Sequence, residues 1–316
     1  MGFPSKSIRN FAISAGLVAL ISPIFLFSIT HAETNTVPAP MSIPLPKNLT
    51  PSLDMAKSDR PKPYADRCHV QQNLTNTTAP CIYGDANSDT TIVLFGDSHA
   101  LSWFPAIEKL AIAKDWKLVS LTMSSCWPAD INAYNPIKNI SMDNCTIWRQ
   151  SALKEIADFQ PFITFVAGTR GFSTLNDANE IATGEERTQI WIDGMSRTLK
   201  SIVASSSNTI YLGDYPISIT DVPICLQKNK SDYGRCATPA IRAVDTNWLI
   251  TEAGVARESG ALFVDPTEGD PYLFHLALLT VERAADASLP VLAQAEPLES
   301  RLIALKQTAD GEMTEI

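Results

Sequence analysis

The chain has 316 residues, of which 45% are hydrophobic, so it can bury one substantial core and is not disordered throughout. Its formal net charge is −9 at pH 7, and it contains no notable run of lysine or arginine. Because surfaces that bind nucleic acid are usually basic, this charge balance excludes nucleic acid as an expected partner.

The N-terminal 32 residues have the pattern of a secretory signal peptide or a membrane anchor. Lys6 and Arg9 precede an uncharged apolar run over residues 11–29, and the small residues of a cleavage site follow at 30–32. The apolar run is nearly long enough to span a bilayer, so cleavage and retention as an anchor both stay open. In either case, we expect the rest of the chain to be exported to the periplasmic or extracellular side.

The most informative stretch is an apolar run that ends in Gly96-Asp97-Ser98-His99. Residues 92–95 predict a strand covered on both faces, and apolar residues then recur at helical spacing from Leu101 to Ala111. Ligands of open α/β sheets bind beyond the carboxyl ends of strands, where a helix N-terminus offers N–H groups to negative charge. Ser98 is therefore the candidate nucleophile, although glycine, aspartate and serine are also typical of a simple capped turn.

Strand and helix patterns alternate along the rest of the central region. Further strands are predicted at 117–122, 162–167, 209–212 and 261–264, and helices at 147–159, 188–205 and 240–258. This alternation implies a parallel sheet with helices on both faces. We divide the chain into a signal or anchor, a proline-rich linker, one folded domain and a divergent tail, at residues 1–32, 33–67, 68–266 and 267–316.

The serine motif belongs to a longer pattern. Its parts are LFGDSHALSWFP at 94–105, WKLVSLTMSSCWP at 116–128, CTIW at 145–148 and LFVDP at 262–266. Together they resemble the SGNH hydrolases, and in particular the SGNH domains that accompany membrane acyltransferase-3 proteins. The resemblance implies a three-layer αβα fold of the flavodoxin-like kind. It also implies O-acyl transfer to, or ester hydrolysis of, a cell-envelope polysaccharide through an acyl-serine at Ser98.

The resemblance also implies the partners of the reaction. These are the cell-envelope glycan as substrate and a membrane acyltransferase-3 module as acyl donor, with no cofactor. Two other functions are open: a catalytically inactive domain that binds or scaffolds glycan, and a secreted lipid or aryl esterase.

A serine hydroxyl becomes a good nucleophile only when a base removes its proton. In the resembling family this base is a histidine in an Asp-x-x-His motif near the C-terminus. In the present chain no such motif follows Pro266. The late candidate is His275, with Asp270 or Asp265 to orient it; the alternative is that His275 packs on a helix or strand surface. The motif occurs once, at Asp66 to His69, but it precedes the serine and is expected to lie in a disulfide loop.

The developing oxyanion needs hydrogen-bond donors, which in the family come from the nucleophile's own N–H and from loops after the following strands. His99 is expected to line the pocket or to support the turn, because the start of a helix points it away from the position of a base. The expected residues of the pocket and the oxyanion site are Gly96, Asp97, His99, Ser125, Gly168 and Thr169.

Six cysteines are consistent with an exported protein. They allow 15 connectivities, and the simplest joins sequential neighbours: Cys68–Cys81, Cys126–Cys145 and Cys225–Cys236. No Cys-x-x-Cys motif or close Cys/His cluster has zinc-ligand spacing, so no metal site is expected. The family usually has another cysteine pair after Val-Asp-Pro. Its absence here suggests that the tail is a replaced or out-of-frame end.

Overall fold

The structure is a computed structural model that describes residues 44–49, 51–76 and 81–267. The predicted signal or anchor, Asp270, His275 and the tail beyond Thr267 lie outside these residues. The described residues form a mostly parallel sheet of seven strands with helices on both faces, which confirms the predicted αβα architecture.

The strands are β1 (His69–Val70), β2 (Ile82–Gly84), β3 (Thr91–Gly96), β4 (Lys117–Met123), β5 (Tyr134–Asn135), β6 (Ile140–Ser141), β7 (Ile163–Ala167), β8 (Asn208–Leu212) and β9 (Leu262–Val264). The sheet has the strand order β1-β4-β3-β7-β8-β9, and β2 pairs with β4 in antiparallel orientation at the same edge as β1. A small separate hairpin consists of β5 and β6.

Seven α-helices and one 3₁₀ turn, Tyr233–Cys236, connect the strands within the described residues. The helices are α1 (Lys62–Ala65), α2 (Ser98–Ala113), α3 (Asp143–Phe159), α4 (Gly184–Val203), α5 (Val222–Lys228), α6 (Ala240–Ala243) and α7 (Thr246–Ser259). None of these helices combines the length and the hydropathy needed to cross a bilayer.

The central strand β3 separates two apolar layers because its side chains alternate between the faces of the sheet. Ile92 and Leu94 pack with α2 on one face, whereas Val93 and Phe95 pack with α3, α4 and α7 on the other. All four side chains are fully buried, as the continuous apolar run predicts for a central parallel strand.

The direction in which successive strands are added to the sheet reverses at β3. The chain passes from β3 to the neighbouring β4, and the next strand of the sheet, β7, pairs with the opposite edge of β3. A crevice opens at such a switch point beyond the carboxyl ends of the strands. Ser98 follows β3 directly and begins α2, so the fold places it at this crevice.

Two features of the chain differ from the sequence-based expectation. The helix predicted over 240–258 is two helices, because Val244 and Asp245 leave the helical conformation. Asp245 caps α7 by accepting a hydrogen bond from the N–H of Trp248 at 3.0 Å. The edge strands β1 and β2 were not predicted, since two or three residues are too few to show a period.

Part of the segment interpreted as a linker contacts the domain. The Leu45 N–H donates to the Lys230 carbonyl at 2.9 Å, and Lys57 forms an ion pair with Asp221 at 2.8 Å. Helix α1 also lies in this segment and buries Pro63.

Three disulfides join the cysteines in sequential pairs. Cys68–Cys81, Cys126–Cys145 and Cys225–Cys236 have Cα–Cα distances of 5.4, 5.3 and 5.8 Å. Disulfides form and persist in oxidising compartments, so these three indicate an exported protein.

Gly96 is the residue through which β3 passes to the serine. Its φ is +145°, and a Cβ at this position would lie 1.8 Å from the Ala167 carbonyl oxygen on β7. We therefore expect Gly96→Ala to lower the free energy of unfolding by about 3 kcal/mol or more, or to prevent folding. Thermal unfolding followed by circular dichroism measures this change.

The matched control is Gly254→Ala in α7, where a Cβ would meet no atom within 4 Å. Alanine should stabilise that helix position by roughly 0.5–1 kcal/mol. A Gly96→Ala protein as stable as the control would contradict the close approach of β3 to β7.

Candidate active site

The carboxyl ends of four parallel strands bring the candidate residues to one edge of the sheet. Ser98 follows β3, and Ser125 follows β4. Gly168 and Thr169 follow β7, and Asp214 follows β8. The site is thus built from loops that the parallel register holds side by side.

Asp97 joins the serine turn to the loop after β7. Its carboxylate is fully buried and accepts two backbone hydrogen bonds, from the N–H of His99 at 2.7 Å and from the N–H of Thr169 at 2.9 Å. The first bond caps α2 and fixes the backbone around Ser98. The second bond holds the neighbouring loop against that cap.

The hydroxyl of Ser98 is left available by this arrangement. The Ser98 side chain is partly exposed. The Ser98 carbonyl accepts a hydrogen bond from the Ser102 hydroxyl at 3.2 Å, whereas the Ser98 hydroxyl has no hydrogen-bond partner among the described residues. A partly exposed hydroxyl on a rigid turn at a helix N-terminus has the placement of a nucleophile.

The side chain of His99 is fixed by two neighbours. Its Nδ1 lies 2.5 Å from an oxygen of the buried Asp214 carboxylate, and its ring stacks on Tyr215 with centroids 4.6 Å apart. The Tyr215 hydroxyl in turn lies 3.2 Å from the Ser102 hydroxyl on α2. These contacts hold the His99 ring in one defined orientation.

Asp214 also holds the loop after β7. Its second carboxylate oxygen accepts from the N–H of Arg170 at 3.0 Å, and the Arg170 guanidinium donates to the Ala243 carbonyl at 2.8 Å. Two buried carboxylates, Asp97 and Asp214, thus bind the successive N–H groups of Thr169 and Arg170. The Thr169 N–H is consequently engaged and is not free to bind an oxyanion in this arrangement.

Ser125 has an unusual backbone conformation for its residue type. Its φ is +55°, in the left-handed region that favours glycine. The preceding Ser124 N–H donates to the Val70 carbonyl at 2.8 Å, which ties this turn to β1. The turn after β4 therefore has the backbone that a glycine would adopt, although the sequence carries no glycine there.

A third buried carboxylate lies behind the site. Glu252 on α7 accepts a hydrogen bond from the Tyr211 hydroxyl at 2.8 Å and lies 3.4 Å from the Asp214 backbone nitrogen. Burial raises the pKa of Glu252 to about 7, and burial also raises the pKa of Asp97 to about 6. Glu252 and Asp97 therefore favour their protonated forms more than exposed carboxyls do.

The charge of His99 responds to two opposing effects. Burial disfavours its charged form, but the hydrogen bond to Asp214 and the negative charges of Asp214 and Asp97 outweigh burial and raise its pKa. Near neutral pH His99 thus favours the imidazolium more than a free histidine does. An imidazolium next to Ser98 supplies positive charge and cannot accept a proton.

Both ends of the Asp66 to His69 motif make contacts that stabilise the fold. His69 is buried in β1, its Nδ1 lies 3.0 Å from the Thr122 hydroxyl, and burial lowers its pKa to about 4. Asp66 accepts instead from the Tyr83 hydroxyl at 3.1 Å. His69 is therefore a buried histidine of an edge strand and favours its neutral form. Asp66 does not orient its ring.

The described residues contain no group of three or more His, Cys, Asp or Glu side chains that could hold a metal ion.

Asp265, considered above as an orienter, accepts from the hydroxyl and the N–H of Thr267, both at 2.7 Å. Its carboxylate therefore stabilises the turn after β9.

Three residues of the site were missed by sequence reasoning: Asp214, Tyr215 and Arg170. Asp214 had a usable signal, since it follows Gly213 at the end of a predicted parallel strand, where functional side chains collect. Its partner His99 is 115 residues away in sequence, and no local pattern connects the two.

The fold and the site define the class of the protein: a three-layer αβα protein with an SGNH-type serine turn at the topological switch point of its sheet. The family described as "SGNH domain (fused to AT3 domains)" matches residues 67–268, which is more than half of the chain. The chain belongs to this family. No curated protein matches it significantly.

Several solved structures are similar to the chain at low sequence identity. The periplasmic domain of a lipopolysaccharide acetyltransferase from Salmonella ser. Paratyphi A is 18% identical, with 58% of this chain and 68% of that chain covered and a TM-score of 0.43. A carbohydrate esterase family 2 enzyme with a carbohydrate-binding domain, from Myceliophthora fergusii, is 13% identical over 66% of this chain and 68% of that chain, with a TM-score of 0.37.

A catalytic mutant of an acetylxylan esterase from Geobacillus stearothermophilus is 10% identical over 66% of this chain and 84% of that chain, with a TM-score of 0.31. These similarities are too low to add to the family assignment, which rests on the family match alone.

The raised pKa values of Glu252, Asp97 and His99 make stability depend on pH in one direction. A group whose pKa is higher in the folded state binds its proton more tightly there, so its contribution to stability is lost as pH rises through the folded pKa. We expect the free energy of unfolding to fall as pH rises from about 6 to 8, by on the order of 1 kcal/mol for each tenfold gain in proton affinity on folding. Below that range the lowered pKa of His69 acts in the opposite direction. Urea unfolding at a series of pH values measures this dependence.

Glu252→Gln should flatten the pH dependence, because glutamine does not titrate and can still accept from Tyr211. The control is Glu258→Gln, an exposed position on the same helix. If the slope is the same in both variants, the buried carboxyl of Glu252 is not its source.

Proposed function

We propose that this protein is an SGNH-type O-acyl transferase or esterase that acts on a cell-envelope polysaccharide through an acyl-serine at Ser98. The observation that carries the proposal is the rigid serine turn at the switch point, in a chain that belongs to the SGNH family. Transfer and hydrolysis share the acyl-enzyme and differ in whether a sugar hydroxyl or water attacks it. An acetyl group is the expected acyl group.

The first half-reaction follows from this geometry. The Ser98 oxygen attacks the ester carbonyl carbon of the donor while a base takes the hydroxyl proton, and collapse of the tetrahedral intermediate expels the donor alkoxide, which takes up that proton. The Ser98 N–H at the start of α2 is a candidate donor to the oxyanion, and the turn at Ser125 is the candidate second source. The positive charge of His99 would also stabilise the oxyanion.

The base is the open part of the proposal. We propose His275, oriented by Asp270, in place of the Asp-x-x-His motif of the family. The second candidate is His99, since a carboxylate on Nδ1 is how a catalytic histidine is held, with Nε2 as the reactive nitrogen. The raised pKa of His99 favours the protonated form and supports His275 over His99.

The expected localisation is the periplasmic or extracellular face, with residues 11–29 as the candidate anchor. We propose a membrane acyltransferase-3 module as the acyl donor, since the family description pairs the two domains. The alternative function, an inactive domain that binds glycan, would keep the serine turn and lack a working base.

A fluorophosphonate probe tests the nucleophile. We expect it to label the wild-type chain at Ser98, because the serine turn exposes the hydroxyl beside the start of α2. Ser98→Ala should abolish labelling, and Ser102→Ala, one turn later on the same helix, is the matched control that should retain it. Undiminished labelling of Ser98→Ala would contradict the assignment.

Turnover of a chromogenic acetyl ester separates the two candidate bases. If His275 is the base, His275→Gln should lower kcat/KM by about 10⁴-fold or more, comparable with Ser98→Ala. His99→Gln should lower kcat/KM by less. It should also keep the loss of activity at acidic pH, which reports protonation of a base with a histidine pKa of roughly 6 to 7.

The reverse pattern, with His99→Gln inactive and His275→Gln unaffected, would move the base to His99. A wild-type chain that turns over neither the chromogenic ester nor an O-acetylated glycan would favour the inactive, glycan-binding alternative.

A further inference from the structure

A cleft of about 440 Å³ lies between the loop after β7 and the segment that joins α6 to α7. Its lining residues are Arg170, Ile241, Arg242, Val244, Asp245, Thr246 and Asn247. This volume is within the range of sites that hold a small ligand or one sugar unit of a longer chain.

The cleft is close to the candidate active site. Arg170 lines it and donates its own N–H to Asp214, the carboxylate that holds His99. The positive charge of Arg170 is also near enough to His99 to oppose the increase in the pKa of that histidine. A sugar bound in the cleft would therefore contact the loop that Asp97 and Asp214 hold against the serine turn.

Two guanidinium groups give the cleft its chemical character. Arg170 is held by its bond to the Ala243 carbonyl, whereas Arg242 is exposed and has no ion-pair partner among the described residues. The acidic side chain in the lining is Asp245, and it is engaged in capping α7. Among the described residues neither arginine forms an ion pair, so the lining carries two positive charges against the one negative charge of Asp245.

This arrangement contrasts with the charge of the whole chain, which is −9. Such a chain generally repels acidic polymers, so a local pair of arginines beside the site marks the place where a negative group would be accepted. Guanidinium groups bind carboxylate and phosphate oxygens through paired N–H donors, which gives geometric selectivity as well as attraction. Ile241, which is 90% exposed, offers an apolar surface on the same cleft.

We propose that this cleft is a subsite for an acidic sugar unit of the acceptor glycan, with Arg242 and Arg170 binding its carboxylate or phosphate group. The proposal rests on the proposed function in treating the ligand as the glycan on which Ser98 acts. It goes beyond that function by assigning acidic glycans as the preferred substrates and Arg242 as a residue that determines this preference.

Equilibrium binding to the full chain carrying Ser98→Ala tests the subsite without turnover. The probes are methyl β-glucuronoside, glucose 6-phosphate and methyl β-glucoside, which share the glucose ring configuration. The two methyl glycosides differ in the group at carbon 6, and glucose is the neutral reference for glucose 6-phosphate, from which it differs at that carbon. We expect the wild-type cleft to prefer at least one acidic probe over its neutral reference by roughly tenfold at low salt, the effect of one charge-assisted hydrogen bond. A preference for the glucuronoside identifies a carboxylate ligand, and one for glucose 6-phosphate identifies a phosphate ligand.

Arg242→Gln should remove most of this preference, while Arg257→Gln, an exposed arginine at the far end of α7, should retain it. In the catalytically intact chain, Arg242→Gln should lower kcat/KM for an O-acetylated glucuronoside and leave turnover of the chromogenic acetyl ester unchanged. Equal affinity for acidic and neutral probes, or a preference that Arg242→Gln does not reduce, would overturn the subsite.

The two proposals fail separately. Absence of ester turnover with an intact, Arg242-dependent preference would refute catalysis and keep the acidic-sugar site. Normal ester turnover without that preference would refute the subsite alone.

Discussion

The burial of the Asp97 carboxylate is the constraint on which the site depends. A carboxylate removed from water must find hydrogen-bond donors, and Asp97 finds them in two backbone N–H groups from different segments, His99 and Thr169. One bond fixes the start of α2, and the other fixes the loop after β7. The close approach of Gly96 to the Ala167 carbonyl reinforces the same junction from within the sheet.

Asp214, which follows β8, repeats this arrangement two strands further along the sheet. It binds the side chain of His99 and the backbone of Arg170, and its own N–H lies near Glu252. Burial raises the pKa values of Asp97 and Glu252, and repulsion from the nearby Asp214 carboxylate adds to the increase. The same buried carboxyl groups that fix the geometry around the serine therefore lower the stability of the fold at higher pH.

The sequence predicts those parts of the fold that depend on local patterns. The apolar run at 92–95 predicts a central strand because both of its faces are covered, and the spacing from Leu101 to Ala111 predicts α2. It does not predict the pairing of His99 with Asp214, since that contact depends on how β3 and β8 are placed in the sheet. It also misses the break at Asp245, although an aspartate that caps a helix is a recognisable signal, because the apolar pattern continues on both sides of it.

The candidate site has a half that holds Ser98 and a proposed base. The half that holds Ser98 is complete within the described residues: its turn, its cap and the loop beside it are fixed by buried carboxylates. None of these contacts requires a base, so an active enzyme and an inactive glycan-binding relative would share them unchanged. The serine turn therefore supports the family and the position of the nucleophile. Catalysis depends on whether His275, or the His99–Asp214 pair, delivers a neutral imidazole to that serine.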